Sequence, residues 1–258
     1  MRLTSFFSYI PLFIEMYREE IKLATGTGFT VMKGEDFYLI TNRHNVTGKD
    51  NFTHQCMRSD YIVPNKIVIH FQSYNNPDEL VPITQQILNE YEEPLWFEHP
   101  ELKESADFVA IKLINLENEN IKVFPLNHYQ DTPFSFSVTD SVSIVGYPYG
   151  LKADGLPIWV TGTIASEPMY NFEGLPIILA NCSSRSGMSG SPVIIHKTKG
   201  QTAEFENFGF RSIHESTWRF IGIYSGRIAT PNKDSSASSE LGRIWKAQSI
   251  YELIDSIK

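Results

Sequence analysis

The feature that most constrains the fold is a long series of short apolar runs rich in Val, Ile, Phe and Tyr, each bounded by turn residues. In the first half the runs cover residues 21–31, 37–41, 67–71 and 108–113, and in the second half 141–145, 157–165, 177–182, 192–196 and 220–224. Runs of this length and composition are typical of β-strands. A connection rich in proline and polar residues, 125–137, separates the halves. This pattern predicts an all-β protein, built as paired antiparallel barrels or as a sandwich.

The two ends of the chain differ from this pattern. The first twenty residues contain many Phe, Ile and Leu, but Pro11 interrupts the apolar run and Glu15 follows without a small-residue cleavage site. We therefore expect residues 1–20 to form a short helix or an extended arm docked on the body. Apolar residues in 241–258 recur at a spacing that predicts an amphipathic terminal helix. No uninterrupted apolar segment is long enough to cross a bilayer, so no membrane partner is expected.

Charge and cysteine content restrict the partners and the compartment. The 258 residues carry a formal net charge of −8 without a marked Lys/Arg cluster, which argues against nucleic acid or an anionic membrane as a partner. The two cysteines, Cys56 and Cys182, are a lone distant pair, which fits a reducing compartment. Sequons occur at Asn45, Asn51 and Asn181, and two of them lie beside the candidate site residues described below, where a glycan would obstruct the site. The sequence therefore predicts a cytoplasmic protein.

One stretch, residues 186–192 (Ser-Gly-Met-Ser-Gly-Ser-Pro), has the composition of a nucleophile turn. A serine hydroxyl becomes nucleophilic when a neighbouring base removes its proton. Glycines beside it let the backbone turn sharply and let a substrate carbonyl approach backbone N–H groups. Ser189 would be the nucleophile, and the N–H groups of Gly187 and Ser189 would form an oxyanion hole. A hairpin loop without chemistry has the same composition, so the stretch alone leaves both interpretations open.

The order of residues in the chain indicates which base and which carboxylate would act with Ser189. A serine hydrolase needs an imidazole to accept the serine proton and a carboxylate to hold that imidazole. Among the seven histidines, His44 follows one strand-like run, and Asp107 precedes another. An α/β-hydrolase is disfavoured because Ser191 stands where the G-x-S-x-G motif requires glycine. No H-E-x-x-H motif or Cys/His cluster supports a metal hydrolase, so no metal and no other cofactor is expected.

Four sequence blocks add to the candidate residues His44, Asp107 and Ser189. They are residues 25–29 with 38–44 (Thr-Gly-Thr-Gly-Phe and Tyr-Leu-Ile-Thr-Asn-Arg-His), 106–111 (Ala-Asp-Phe-Val-Ala-Ile), 146–150 (Gly-Tyr-Pro-Tyr-Gly) and 187–192 (Gly-Met-Ser-Gly-Ser-Pro). In content and order they resemble the chymotrypsin-fold (trypsin-like) serine proteases, and within that family the bacterial stress-protease branch. The resemblance covers most of the chain.

The resemblance implies one peptidase unit over residues 1–258 with two antiparallel six-stranded barrels. The N-terminal arm would occupy residues 1–20, the N-terminal barrel 21–130, the C-terminal barrel 131–240 and the C-terminal helix 241–258. A PDZ-like domain is not expected, since the chain ends at Lys258.

The resemblance also implies roles for individual residues. Ser189 would be the nucleophile, His44 the general base and then the general acid, and Asp107 the group that orients His44. The N–H groups of Gly187 and Ser189 would stabilise the oxyanion. Substrate-binding residues would be Ser183, Ser184, Tyr224, Ser225, Gly226 and Arg227. Cys182, Ser183 and Ser184 would line the primary specificity pocket, and Ser225 would lie near Asp107.

Three departures from the family pattern bear on regulation and specificity. Asn45 follows the histidine, where many members have a disulfide cysteine. Met188 replaces the aspartate that pairs with a newly cut N-terminus in digestive members, so we expect activity that is constitutive or controlled by loops or partners. The residue six positions before the nucleophile, where trypsin has a carboxylate, is the neutral Ser183. A buried substrate cation would be uncompensated there, so we expect a small or medium uncharged residue before the scissile bond, with an acidic residue as the alternative.

The sequence therefore predicts a serine endopeptidase that cleaves polypeptides through an acyl-enzyme, in an intracellular stress or defence pathway. Its expected partners are a protein or peptide substrate and a regulatory sensor or effector protein. The alternative is a catalytically silent module of the same fold that binds peptides, because a fold by itself does not imply an activity.

Overall fold

The structure is a computed structural model that describes residues 4–76, 79–114, 116, 120–129, 132–183, 185–205, 208–228 and 240–258. Most of its regular structure consists of antiparallel strands, arranged in two halves.

The first half forms one antiparallel sheet. Its strands are β1 (Pro11–Arg18), β2 (Ile21–Lys33), β3 (Asp36–Thr41), β4 (Lys66–Ser73), β5 (Leu80–Gln86), β6 (Trp96–Phe97), β7 (Val109–Lys112) and β8 (Ile121–Lys122). Their order is β5-β4-β1-β2-β3-β7-β6, with β8 paired to β4. In β4, Ile67, Ile69 and Phe71 are fully buried, whereas Val68 and His70 between them are partly exposed. This alternation is that of a strand with one face on a core.

The second half is a closed six-stranded barrel. Its strands are β9 (Ser141–Gly146), β10 (Ile158–Ile164), β11 (Ile177–Cys182), β12 (Pro192–Lys197), β15 (Thr217–Arg227) and β16 (Leu241–Lys246). The closed order is β10-β11-β16-β15-β12-β9. A separate hairpin consists of β13 (Thr202–Phe205) and β14 (Gly209–Ser212).

The two α-helices among the described residues are short. The helix α1 (Arg43–Thr47) follows β3, and α2 (Ala247–Ser256) ends the chain. The ammonium group of Lys33 in β2 donates hydrogen bonds to the carbonyl groups of Ile254 and Asp255, 2.9 Å each, and to that of Ile257. It therefore satisfies carbonyls that the end of a helix leaves without partners. Within the described residues, no helix has the length and apolar character needed to span a bilayer.

One core joins the two halves. Phe29 of the first half packs against Phe220 of the second with ring centroids 5.5 Å apart, and Phe108 packs against Trp245 at the same separation. All four side chains are buried in a cluster that also includes the apolar face of α2. Because this core crosses the boundary, the residues at the junction of the halves are held in a defined geometry.

The predicted all-β class is confirmed, with three corrections to the predicted elements. Residues 11–18, expected in a docked arm, form β1, which pairs with both β2 and β4 inside the sheet. Residues 241–246, expected in the terminal helix, form β16, and the helix begins at Ala247. The first sheet has eight strands in an open order instead of a closed six-stranded ring: β6 extends the sheet beyond β7, and β8 pairs with the last two residues of β4.

Candidate active site

The imidazole of His44 and the carboxylate of Asp107 meet at one edge of the first sheet. Strands β3 and β7 are antiparallel neighbours in which Thr41 lies opposite Val109. His44, just after β3, and Asp107, just before β7, therefore lie at the same edge. His44 Nδ1 is 2.7 Å from Asp107 Oδ2, and the backbone N–H of His44 donates to Oδ1 at 3.0 Å. Asn42 Nδ2 donates to the backbone carbonyl of Asp107 at 2.6 Å, which fixes the position of the aspartate.

The contact with Asp107 changes the pKa of His44 and determines which ring nitrogen carries the proton in the neutral imidazole. Burial alone would lower the pKa of His44, but the charge of Asp107 and its hydrogen bond outweigh burial, so the pKa of His44 is raised above its usual value. In the neutral ring, a proton on Nδ1 faces Asp107, and Nε2 is left as the proton acceptor. This is the state that a general base requires.

The turn that carries Ser189 is held between the two halves. On one side, the backbone N–H of Gly190 donates to the carbonyl of Tyr224 in β15 at 3.0 Å. On the other side, the backbone N–H of Thr27 in β2 donates to the carbonyl of Ser189 at 2.9 Å. Gly190 has φ 90°, and a Cβ there would lie 1.9 Å from the carbonyl oxygen of Thr27. Only glycine allows this approach.

Ser189 and His44 line the same cavity, which has a volume of about 340 Å³. Ser189 is half-buried, and the side chain of His44 is 11% exposed. Among the hydrogen bonds of the described residues, none joins Ser189 Oγ to His44. The structure therefore joins two of the three predicted residues directly and places the third on the same cavity wall.

Two backbone donors of the turn remain without a protein acceptor. The carbonyl of Ser186 accepts a hydrogen bond from the N–H of Tyr149 at 2.6 Å. In a trans peptide the C=O and the following N–H point in opposite directions, so the N–H of Gly187 points away from Tyr149. Among the described residues, neither the N–H of Gly187 nor that of Ser189 donates to another protein group, and both residues line the cavity. This arrangement can stabilise a negatively charged oxygen.

Met188 is completely buried in the core of the second barrel, together with Ile144, Val193 and Tyr224. An aspartate at this position would need a buried cationic partner. The methionine instead anchors the turn by apolar packing, so this position requires no charged N-terminus.

Sequence reasoning missed the hydroxyl of Thr27, a fully buried side chain in β2. Its Oγ1 donates to the carbonyl of Gly187 at 2.8 Å and accepts from the N–H of Tyr147 at 3.1 Å. One side chain thus joins the first sheet to both the nucleophile turn and the turn after β9. Thr27 lies in the Thr-Gly-Thr-Gly-Phe block, but its hydrogen-bond partners are more than a hundred residues away in the chain.

The side chain of Asn45 makes a second connection. Its Nδ2 donates to Thr41 Oγ1 at 2.9 Å and to the carbonyl of Ser189 at 3.3 Å. A Cβ on Gly26 would lie 2.9 Å from this Nδ2, so the glycine provides the space that the amide occupies. The amide links the helix of His44 to the turn of Ser189 near the place where many family members were expected to have a disulfide.

The predicted substrate-binding residues are only partly brought together. Tyr224, Gly226 and Arg227 line the cavity. Ser183 is exposed and is not among the described residues that line it, and Ser184 lies outside the described residues. The hydroxyl of Ser225 is buried without a hydrogen-bond partner, so the structure contains no hydrogen bond between Ser225 and Asp107.

The ring of Tyr224 is 2% exposed and fills the space beside β16. A Cβ on Gly242 would lie 2.5 Å from Cε2 of this ring and 3.0 Å from Sγ of Cys182. The ring therefore occupies the space next to Gly242 and Cys182. Among the described residues, no group of three or more His, Cys, Asp and Glu side chains could hold a metal ion.

Comparison with known proteins gives one family match. The sequence matches the trypsin-like peptidase domain over residues 26–201. A crystal structure of the serine endoprotease from Yersinia pestis is similar in fold, with a TM-score of 0.51 and 15% identity over 99% of this chain and 67% of that chain. The Rv3671c protein of M. tuberculosis, in an inactive form, has a TM-score of 0.50 and 14% identity over 97% of this chain and 87% of that chain. A search of curated proteins finds no significant match.

Proposed function

Because the chain belongs to the trypsin-like peptidase family, we propose that it is a serine endopeptidase in which Ser189, His44 and Asp107 form the catalytic triad. The observation that carries this proposal is the geometry around one cavity. The His44–Asp107 pair, the hydroxyl-bearing Ser189 and two unpaired N–H groups all border it. Protein or peptide chains are the proposed substrates.

In the proposed reaction, His44 Nε2 accepts the proton of Ser189 Oγ as that oxygen attacks the carbonyl carbon of the scissile bond. Asp107 holds the imidazole and stabilises its charged form. The C–N bond then breaks, His44 gives its proton to the leaving amine, and an ester of Ser189 remains. Water hydrolyses the ester with His44 again acting as the base, and the proton returns to Ser189 Oγ.

The N–H groups of Gly187 and Ser189 would bind the oxyanion of each tetrahedral intermediate. The hydrogen bond from Tyr149 to the Ser186 carbonyl supports this role, because it orients the Gly187 peptide in advance. Loss of one such donor costs about 100- to 1,000-fold in kcat in comparable sites.

The buried Tyr224 ring supports a small uncharged residue before the scissile bond. With the ring packed against Gly242, an aromatic or long basic side chain would have no space behind Ser189. Arg185 and Arg227 also line the cavity, which keeps an acidic residue as the alternative.

The cellular setting proposed from the sequence remains a cytoplasmic stress or defence pathway with a regulatory sensor or effector. Cys56 and Cys182 are free thiols in the structure. The side-chain amides of Asn45 and Asn51 are buried and hydrogen-bonded, so neither sequon could carry a glycan in the folded protein. The free thiols fit a reducing compartment.

Labelling with a fluorophosphonate probe tests the proposed function. The probe reacts only with an activated serine, so we expect labelling that is lost in Ser189→Ala and His44→Ala. Ser191→Ala is the matched control, since its hydroxyl lies in the same turn but is buried without a partner. The missing Ser189–His44 hydrogen bond favours the silent peptide-binding module as the second candidate. A folded protein that is not labelled but still binds peptides would establish that module instead.

A further inference from the structure

The cavity continues beyond the candidate catalytic residues along β2. Thr27 and Thr25 lie on one face of this strand, because side chains alternate along a strand. Leu23 stands at the bulge where the pairing of β2 with β1 shifts. Thr27 contacts the nucleophile turn, while Thr25 and Leu23 line the cavity farther from it. The apolar side chains of Met16, Ile62, Pro64 and Met57 line this arm of the cavity together with Arg58.

The direction of a bound substrate follows from the proton transfers. In the proposed reaction His44 protonates the leaving amine, so the leaving segment of the substrate lies on the side of His44 and β2. The acyl segment lies on the other side of the nucleophile turn, where Tyr224 of β15 contacts Gly190. The apolar arm therefore faces the residues that follow the scissile bond.

The edge of β2 at Thr25 is open to a peptide backbone. Thr25 pairs with Glu15 of β1 on one side, and the pairing of β2 with β3 begins only at Phe29. On the open edge, the carbonyl of Leu23 accepts from Arg58 Nη1 and the N–H of Thr27 donates to the Ser189 carbonyl. The pairing is regular between Thr25 and Thr27, and residues two apart in a regular strand present their backbone groups to the same edge. The N–H and C=O of Thr25 therefore point to the edge that Thr27 uses for Ser189, and Thr25 lines the cavity there.

The side chains around the open edge of β2 determine which substrate side chains fit into the cavity. Met16 and Pro64 are buried, Leu23 and Ile62 are half-buried, and Met57 is 60% exposed at the rim. The guanidinium of Arg58 is engaged by Asp60, with Nε 2.9 Å from Oδ1, and its charge is thereby compensated.

We propose that this arm, which we call the leaving-group pocket and define by Met16, Leu23, Met57, Ile62 and Pro64, selects substrates with an apolar side chain at one of the two positions after the scissile bond. The pocket rests on the proposed endopeptidase function and specifies its substrate class. An apolar side chain that leaves water for this wall is stabilised, whereas a charged one loses hydration without gaining a partner.

Cleavage of quenched peptides tests the pocket. The acyl part is kept constant, and the two following residues are varied among Leu, Met, Ala, Lys and Asp. We expect kcat/KM to be at least about 10-fold higher for Leu or Met than for Lys or Asp at one of the two positions. Leu23→Lys should remove this preference. Ile21→Lys is the matched control, because Ile21 lies in the same strand, is 54% exposed and does not line the cavity.

Transfer of the acyl group to an added amine tests the leaving-group pocket separately from the residues that bind the acyl part of the substrate. An ester substrate forms the acyl-enzyme, and leucine amide or aspartate amide competes with water for it. The amine attacks the ester carbonyl, an amide bond forms, the bond to Ser189 Oγ breaks, and the amine proton returns through His44 to that oxygen. We expect leucine amide to capture the acyl group about 10-fold better. Equal capture by an enzyme that hydrolyses the ester overturns the pocket but not the endopeptidase function, whereas the absence of all ester hydrolysis and labelling overturns both.

Discussion

The hydroxyl of Thr27 should control the rate of the chemical step although it does not touch the substrate. Thr27→Val keeps the shape of the side chain and removes its hydrogen bonds. The carbonyl of Gly187 and the N–H of Tyr147 would then be left without their observed partner in the interior. Each unsatisfied buried group costs about 1–3 kcal/mol, so the variant should lose roughly 2–6 kcal/mol in its free energy of unfolding.

Loss of the Thr27 hydrogen bonds should also affect the N–H groups proposed to bind the oxyanion. The Gly187 carbonyl that Thr27 holds belongs to the residue whose N–H faces the cavity, so a released turn can move that donor. Partial loss of one donor predicts a fall in kcat of about 10- to 100-fold. KM should change by less than about threefold, because the contacts of the ground-state substrate are not removed.

Steady-state kinetics on a peptide substrate and chemical unfolding, both below the melting temperature of the variant, measure these effects. Thr27→Ser should restore most of kcat, since it retains the hydroxyl. Thr30→Val is the matched control: Thr30 is buried in the same strand, and its hydroxyl has no hydrogen-bond partner. Unchanged kcat in a folded Thr27→Val, or an equal loss in Thr30→Val, would refute the reasoning.

Three further predictions concern pH, the terminal helix and specificity. The specificity constant kcat/KM should rise with pH, with an inflection above the usual histidine pKa of about 6.5, because neutral His44 is the base and its pKa is raised. Asp107→Asn should move this inflection to lower pH. An unchanged pH profile in that variant would contradict the roles assigned to His44 and Asp107. Lys33→Met should lower the free energy of unfolding by about 1–2 kcal/mol without changing kcat. Lys112→Met breaks an exposed ion pair and should cause a clearly smaller loss in the same denaturation assay; equal losses would contradict the role of Lys33. Tyr224→Ala should raise the ratio of kcat/KM for Phe over Ala before the scissile bond by about 10-fold or more, and a constant ratio would show that the ring does not limit the pocket.

The sequence by itself determined the elements whose signal is local. The alternation of residues 67–71 follows from one buried face, and β4 forms there. The ordered motifs around His44, Asp107 and Ser189 identified the family and located the candidate chemistry, because a nucleophile, a base and a carboxylate each need a specific residue type.

Tertiary structure alone decided the elements and contacts whose partners are distant in the chain. Residues 241–246 have an apolar spacing that also suits a helix, but closure of the barrel needs a strand between β11 and β15, and inter-strand hydrogen bonds outweigh the local preference. Residues 11–18 become a central strand because β2 and β4 pair with both of their edges. The roles of Thr27 and Asn45 depend on carbonyl groups of Gly187 and Ser189, more than 140 residues away. The sequence alone does not show which acceptor a hydroxyl or an amide will bind, because only folding brings a particular acceptor within hydrogen-bond distance.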